Sequence, residues 1–227
     1  MDYVITPPAT PVLPVRGTAA VFPVRRIYCV GRNYAAHAIE MGHDPDKEVP
    51  FFFLKNPDNI DTTGQFPYPA ASSNVHYEIE LVVALDKGGT DIPVEKALDC
   101  VYGYAVGLDM TRRDLQGEAK KLGRPWEVGK AFERSAPCGE IVPASSLGHP
   151  DSGSIWLKVN GEVCQEGDLN QLIWKVPEVI SFLSGLFTLG AGDLIMTGTP
   201  AGVGPVKRGD VMLGHVDGIG DLEVKVV

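Results

Sequence analysis

An apolar strand that carries two acidic side chains is the feature that most restricts the fold of this chain. Residues 75–85 are largely hydrophobic, but Glu78 and Glu80 stand two positions apart within them. A strand points alternate side chains to opposite faces, so both carboxylates share one face while Ile79 and Leu81 share the other, which makes a core face. The fold must therefore place two acids beside a hydrophobic core.

A divalent cation would compensate these acids. Buried ionised carboxylates cost several kcal/mol of free energy unless a positive charge neutralises them, and residues 72–86 contain no Lys or Arg. Asp109 closes a second apolar strand, predicted over 101–108, and supplies a third carboxylate. Oxygen ligands suit Mg²⁺, Mn²⁺ or Ca²⁺, whereas Zn²⁺ usually recruits His or Cys. We predict a metal site at Glu78, Glu80 and Asp109; the alternative is a solvated strand face with an unrelated Asp.

Composition and charge exclude several other classes of protein. At 227 residues, with 44% hydrophobic and 22% charged side chains, the chain fits one large β-rich domain. Its net charge is −9 and its Lys and Arg residues are scattered, which argues against nucleic acid or a membrane surface as partner. The cysteines show no C-x-x-C spacing, so no zinc site or disulfide framework is expected. Without a signal-like start or an apolar run of about 20 residues, the protein is expected to be cytoplasmic.

The order of short strands and few helices predicts an α+β fold with a mixed, rolled β-sheet core. Residues 1–25 are predicted to form an extended N-terminal arm with little regular structure, with at most one short strand in the stretch through Arg16, and 26–227 a single domain. Strands are predicted at 27–31, 51–55, 75–85 and 101–108, with a hairpin around Asn160-Gly161. Helices are predicted at 34–41, 93–100, 111–122 with Asp109 as N-cap, and from Pro177 onward.

His37 and Glu40 form the first candidate catalytic pair. They stand three residues apart, so on one helical turn they share a face and the carboxylate can orient the imidazole. Imidazole titrates near neutral pH, and a carboxylate partner raises its basicity toward water. The pair therefore predicts a general base; an ordinary charged pair on an exposed helix is the alternative.

Arg113 and Gln116 also stand three residues apart, on the helix predicted to follow Asp109. A cation and an amide placed beside the metal would suit a substrate carboxylate. Surface charge on an amphipathic helix is the alternative, and it is our interpretation for the other charged residues of this segment, Arg112, Asp114, Lys120 and Lys121.

Two further lysines are predicted to face an anion. Lys130 is flanked by Gly129 and Ala131, and Lys55 ends the apolar strand 51–55. Lysine is uncommon in such surroundings unless it has a charged partner.

The stretch 196–204 predicts a tight loop that offers backbone N–H groups and the hydroxyls of Thr197 and Thr199. It lacks the G-x-x-x-x-G-K-[ST] spacing of a phosphate loop, and no G-x-G-x-x-G opens a helix, so no nucleotide is expected. No G-x-S-x-G elbow occurs, and no cysteine has a nearby basic residue, so nucleophilic Ser or Cys catalysis is unsupported.

From about Arg26 to its end, the chain resembles the fumarylacetoacetate hydrolase family in several separated motifs that follow the family's order. The resemblance implies a mixed β-roll fold in one catalytic domain, a Mg²⁺ or Mn²⁺ site, and a homodimer. The matching stretches are 29–34 with His37, 53–55, 76–81, 107–111, 129–132, 159–161 and 197–204.

The resemblance also implies roles for individual residues. Glu78, Glu80 and Asp109 match the metal ligands, and His37 and Glu40 match a lid pair that activates water. Lys130 matches a group that polarises the substrate. Residues matching positions that line the pocket are Arg32, Lys55, Arg113, Gln116 and Thr199. Apart from the resemblance, the composition of segment 42–49, which has charge, Gly and Pro but little to bury, makes it a candidate flap over the substrate.

The chain is most similar to small members of the family that act on acylpyruvates. The expected activity is metal-dependent cleavage of a carbon–carbon bond in a 2,4-diketo acid, with fumarylpyruvate, an intermediate of the gentisate route, giving fumarate and pyruvate. A decarboxylase or keto–enol isomerase of oxaloacetate is the alternative within the enzyme class. Outside that class, the alternative is a non-catalytic module that binds a metal or a small acid.

Overall fold

The computed structural model describes residues 2–42 and 49–227 as strands, short helices and loops. Its strands, in chain order, are Val12–Pro14 (β1), Val21–Pro23 (β2), Arg26–Gly31 (β3), Phe51–Lys55 (β4), Ile60–Asp61 (β5), Gln65–Phe66 (β6), Val75–Tyr77 (β7), Ile79–Leu85 (β8), Val101–Leu108 (β9), Thr111–Arg112 (β10), Ala136–Pro137 (β11), Val142–Pro143 (β12), Ser154–Val159 (β13), Glu162–Asp168 (β14), Asp193–Met196 (β15), Gly204–Pro205 (β16), Val211–Val216 (β17) and Gly220–Val226 (β18). Its α-helices are Ala35–Glu40 (α1), Val94–Ala97 (α2), Arg113–Lys121 (α3), Glu127–Lys130 (α4), Ala144–Leu147 (α5) and Val176–Leu186 (α6), and single 3₁₀ turns lie at Pro57–Asn59, Leu98–Cys100 and Leu169–Gln171.

A six-stranded sheet in the order β12-β9-β8-β15-β3-β4 forms the centre of the fold. Its neighbouring strands are antiparallel, except β15 and β3, which run parallel. A five-stranded sheet in the order β14-β13-β17-β18-β6 shares a hydrophobic core with it, to which Leu81, Leu157 and Ile180 contribute. Mixed sheets with few helices confirm the predicted α+β class.

The other face of the central sheet is also buried. Val82 and Ala84 of β8 pack in a second hydrophobic cluster with Leu13 and Phe22 of the N-terminal segment. That segment holds two short strands, β1 and β2, paired antiparallel. β1 is the one short strand that the sequence allows in the stretch through Arg16, and β2 lies beyond that stretch. Its apolar side chains cover the sheet, so β8 has a core on both faces rather than on the single face predicted.

The predicted carboxylate strand divides at Glu78, between β7 and β8. β7 pairs with β10 and β16 in a small three-stranded sheet, whereas β8 lies in the central sheet. The backbone N–H of Asp109, directly after β9, donates to the carbonyl of Glu78 at 2.8 Å. This hydrogen bond holds Glu78 and Asp109 side by side.

Helix α3 begins at Arg113, later than predicted, because Thr111 and Arg112 form β10 against β7. The predicted N-cap role of Asp109 is therefore wrong, since Arg112 occupies that position. The carboxylate of Asp109 is left for side-chain contacts. Other predicted elements are confirmed, with small differences at their ends, by β3, β4, β9, the β13–β14 hairpin, α1, α2 and α6. Of the proposed flap, residues 43–48 lie outside the described part of the chain.

Candidate metal and substrate site

Glu78, Glu80 and Asp109 form one buried acidic cluster. β8 and β9 pair antiparallel with Glu80 opposite Gly107, which brings the end of β9 next to the start of β8. One ligand oxygen from each carboxylate lies within 4.8 Å of the others. The three side chains are almost completely buried, with Asp109 at 0% exposure. The structure therefore brings the three predicted acids together, while their role as metal ligands stays a prediction.

Cations from distant parts of the chain compensate two of the three acids. The ammonium group of Lys130 lies 2.9 Å from Glu78 Oε2 and 2.6 Å from Asp109 Oδ2, and it also donates to the hydroxyl of Thr111 at 2.7 Å. Arg113 pairs through Nη2 with Glu78 Oε1. Burial by itself raises the pKa of Glu78, but the charges of Lys130 and Arg113 outweigh burial and hold that pKa well below its usual range.

Lys55 lies behind the cluster and is itself buried. Its Nζ is 2.8 Å from Asp109 Oδ1 and donates to the carbonyls of Met110 and Lys130 and to the hydroxyl of Ser135. It is absent from the residues that line the cavity within the described chain. Its predicted contact with substrate stays a prediction; the structure places it against Asp109.

Glu80 is the acid that these cations leave uncompensated. Its carboxylate accepts the backbone N–H of Gly198 at 2.8 Å, and within residues 2–42 and 49–227 it forms no ion pair. Burial and the charges of Asp109 and Glu78 raise the pKa of Glu80 well above its usual value. Both Asp109 oxygens are held by lysines, Oδ1 by Lys55 and Oδ2 by Lys130. An all-oxygen set that includes one buried carboxylate without a cationic partner among the described residues fits a hard divalent cation.

One cavity joins the acidic cluster to the predicted substrate residues. Glu78 and Glu80 lie in its wall, and Asp109 lies just behind them. Besides these acids, the sequence-predicted residues that line the cavity are His37, Lys130, Arg32, Arg113, Gln116 and Thr199. Glu40, Lys55 and Asp109 do not line it.

His37 and Glu40 adopt the predicted pairing on α1. His37 Nδ1 lies 3.1 Å from Glu40 Oε2, and the imidazole is buried in the cavity wall. The N–H of Gly202 donates to the Glu40 carboxylate at 3.3 Å. Glu40 therefore orients the imidazole from behind, and Nε2 is left for water or substrate.

The remaining predicted pocket residues are held by neighbours in the fold. Arg113 Nη1 donates to Gln116 Oε1 at 2.7 Å, which fixes the predicted pair on α3. The hydroxyl of Thr199 accepts from Gln165 at 2.8 Å. Arg32 has a left-handed backbone with φ 57°, and its guanidinium lies 5.0 Å from the centroid of the Phe51 ring.

Sequence reasoning missed an aromatic wall and a fourth cation of this cavity. Phe51, Phe53 and Trp126 line it, and so does Lys120, whose charge was predicted to lie on the solvated surface of the helix. That assignment is wrong. A signal was present for Lys120, because positions 113, 116 and 120 follow the i, i+3, i+7 spacing of one helix face. For Trp126 the sequence offered no signal.

Comparison with known proteins agrees with this geometry. Residues 26–227 match the fumarylacetoacetate (FAA) hydrolase C-terminal family. The chain belongs to the fumarylacetoacetate hydrolase family, as its motifs predict, and it is an enzyme of the class that hydrolyses carbon–carbon bonds.

Similar proteins include fumarylpyruvate hydrolases and an oxaloacetate tautomerase. A crystal structure of fumarylpyruvate hydrolase from Pseudomonas aeruginosa with Mn²⁺ and pyruvate is 55% identical with a TM-score of 0.98, covering 100% of this chain and 99% of that one. Fumarylpyruvate hydrolase of Ralstonia sp is 46% identical over 82% of this chain and 98% of its own length. The mitochondrial oxaloacetate tautomerase FAHD1 of Mus musculus is 45% identical over 89% of this chain and 91% of its own.

Among the helices of residues 2–42 and 49–227, none has both the length and the apolar character needed to cross a membrane.

Proposed function

We propose that this chain hydrolyses acylpyruvates, with fumarylpyruvate as the first candidate substrate and fumarate and pyruvate as products. The observation that carries the proposal is the shared cavity of His37 and the acids Glu78 and Glu80. Hydrolysis needs a base for water next to the group that binds the keto acid, and this cavity contains both. The similar Pseudomonas aeruginosa structure, which holds Mn²⁺ and pyruvate, supports the same substrate class.

The metal in this proposal is Mg²⁺ or Mn²⁺. Glu78, Glu80 and Asp109 would hold it, since their oxygens already lie together. When bound, such a cation supplies Lewis acidity, which polarises a keto acid and stabilises negative charge that develops on it.

His37 acts as the base in the proposed reaction. Its imidazole, oriented by Glu40, removes a proton from water, and the hydroxide adds to the distal keto carbon of the substrate. The bond between that carbon and the neighbouring methylene then breaks. The acyl part leaves as a carboxylic acid, and the electron pair stays on the methylene carbon of the pyruvate part until a proton is added there.

Arg113, Gln116 and Lys130 prepare the cavity for this reaction. Arg113 occupies the Gln116 carbonyl oxygen, so the amide N–H groups of Gln116 are the ones left to donate to a substrate oxygen. The ammonium group of Lys130 donates hydrogen bonds to Glu78, Asp109 and Thr111. We therefore assign Lys130 to holding the acidic cluster, while polarisation of the substrate by its ammonium group stays a prediction.

Action on oxaloacetate is the second candidate function. The 45% identical tautomerase favours it, and tautomerisation or decarboxylation could use the same chelating site. The two candidates differ in the need for water as a nucleophile, because only hydrolysis adds water to the substrate.

Pyruvate release from a panel of acylpyruvates, compared with turnover of oxaloacetate, tests the proposal. Each substrate is assayed with Mg²⁺, with Mn²⁺ and after chelation. We expect metal-dependent release of pyruvate from fumarylpyruvate and its loss in His37→Ala. Turnover of oxaloacetate alone, unaffected by His37→Ala, would replace hydrolysis with the second candidate.

The remaining expectations concern the setting of the enzyme. A homodimer, a cytoplasmic location and a place in the gentisate route are part of the proposal, motivated by the resemblance to small acylpyruvate-cleaving relatives. Light scattering of the purified chain tests the dimer directly.

A further inference from the structure

We propose that Lys120 determines substrate specificity by binding a second, distal carboxylate, so that the cavity prefers dicarboxylic acylpyruvates over monocarboxylic ones. This inference rests on the proposed function and deepens it. It concerns the end of the substrate that lies farthest from the acidic cluster.

The position of Lys120 on α3 supports this role. Arg113, Gln116 and Lys120 line the same cavity from one face of the helix. Arg113 contacts Glu78 at the acidic cluster, and Gln116 is buried beside it. Lys120 follows one turn after Gln116 and is only half-buried. The row of side chains formed by Arg113, Gln116 and Lys120 therefore runs from the acidic cluster toward the cavity mouth.

Aromatic rings hold this ammonium group in the cavity wall. Lys120 Nζ lies 4.8 Å from the centroid of the Trp126 ring. That ring meets Phe51 edge-on at 5.2 Å and Phe53 at 5.7 Å between centroids. An aromatic face attracts a cation without neutralising its charge, so the ammonium group keeps its ability to bind an anion.

The charges around Lys120 favour an anionic ligand. Within the described residues no carboxylate forms an ion pair with Lys120, although its side chain is partly removed from water. Burial, with the nearby positive charges of Arg113 and Arg32, lowers the pKa of Lys120 to about 8. A bound carboxylate would offset both effects, because it replaces lost hydration and reduces the repulsion among the cations.

The chemistry of the proposed substrate matches this arrangement. Every acylpyruvate carries a carboxylate beside its 2-oxo group, which is the end suited to the acidic cluster and its cation. Fumarylpyruvate has a second carboxylate at the other end, joined through a planar double bond that an aromatic wall can cover. Acetylpyruvate lacks both the second carboxylate and the double bond, so it would leave Lys120 unused.

The test is a comparison of two substrates in Lys120→Met, which keeps an apolar side chain of similar length against Trp126. Lys121→Met is the matched control, because Lys121 is the exposed neighbour and does not line the cavity. We expect Lys120→Met to lower kcat/KM for fumarylpyruvate by about 10-fold or more, through KM, which is the loss of one modest charged contact. Acetylpyruvate cleavage should stay within about twofold, and Lys120→Arg should restore fumarylpyruvate cleavage.

Calorimetric binding of the separate products to the Mn²⁺-loaded enzyme gives a second readout. Lys120→Met should weaken the binding of fumarate and leave that of pyruvate unchanged, with Lys121→Met as control. Equal effects on both substrates and both products, or no effect on any, would overturn the role of Lys120 while leaving hydrolysis intact. If wild-type enzyme cleaves neither acylpyruvate, the proposed function fails, and the binding measurements still decide whether Lys120 binds the second carboxylate.

Discussion

His37 Nδ1 lies 3.1 Å from Glu40 Oε2, and the same carboxylate accepts the N–H of Gly202 from the loop that follows β15. The short helix α1 is therefore tied to the body of the fold through the residue that orients the imidazole. A loop whose N–H groups also hold Glu80 through Gly198 thus connects the predicted base with the acidic cluster.

Single substitutions of His37 and Glu40 should distinguish the contribution of the base to turnover from that of the residue that orients it. His37→Gln should lower kcat for acylpyruvate hydrolysis by about 100-fold or more, the usual contribution of a general base. Glu40→Gln should cause a smaller loss, about 10-fold, because the imidazole remains but loses its charged partner. Steady-state pyruvate release measures both. Equal losses would place Glu40 in the proton transfer itself, and full turnover of His37→Gln would remove His37 from it.

Glu80→Gln should weaken metal binding without lowering the stability of the metal-free protein. Glu80 has no cationic partner among the described residues, so neutralising it should leave the unfolding temperature of the metal-free protein unchanged or raise it. Binding of Mn²⁺ should weaken by at least about 10-fold, since even indirect perturbation of a metal site has that effect. Calorimetry and thermal unfolding measure the two quantities, with the exposed Glu95→Gln as control. Unchanged Mn²⁺ affinity would contradict the assignment of Glu80 as a ligand.

Lys55→Met should destabilise the fold strongly. Its ammonium group is fully buried against Asp109 and donates hydrogen bonds to two backbone carbonyls and a hydroxyl. Removing one member of a buried ion pair costs about 3–5 kcal/mol, because the other charge stays buried without compensation. The free energy of unfolding from denaturant titration tests this, and Lys96→Met, in an exposed pair with Asp99, should change it little. A small effect of Lys55→Met would mean that Asp109 does not depend on this lysine.

The pH dependence of stability should include a contribution from His215. Its imidazole stacks on Trp156 and pairs with Asp221 at 2.5 Å and Asp217 at 3.1 Å. Partial burial lowers the pKa of His215, but the two carboxylates outweigh burial and raise it. A raised pKa in the folded state stabilises the protein at pH values below about 6.5, the unfolded value, and this stabilisation is lost as the pH rises through the folded pKa.

Nuclear magnetic resonance titration of His215 in wild type and Asp221→Asn checks this contribution. The variant should have the lower pKa. The difference in unfolding temperature between the two proteins should shrink as the pH rises through the folded pKa of the wild type. A difference that stays constant with pH would show that the pair contributes no proton-linked stability.

Local pattern was sufficient to find the acids but not their surroundings. Glu78 and Glu80 stood out because acidic residues interrupt a hydrophobic run, and Asp109 because it ends another. From the sequence, a bound metal ion was expected to compensate the negative charge of all three carboxylates. The structure supplies part of this positive charge from Lys55, Lys130 and Arg113, which reach the cluster only when the strands and helices have packed.

Helical charges were the least predictable part of the site. Lys120 and Lys121 are adjacent lysines near the end of α3, yet only Lys120 lines the cavity. A charged side chain on a helix can face either solvent or a polar cavity. For Lys120 the deciding contact is Trp126, which lies in the loop after α3. Similarly, β7 separates from β8 because it pairs with β10 and β16, which no local pattern indicates.

The sequence alone determined the family, the α+β class and the identity of the acidic residues, since these depend on periodicity, strand ends and motifs along the chain. Tertiary structure alone decided which cations compensate Glu78 and Asp109, that Glu80 has no such partner in the part of the chain that the structure describes, and that Lys120 enters the cavity. Those outcomes depend on burial and on contacts between residues far apart in the chain. Electrostatic energies change with both, so they are fixed only when the chain has folded.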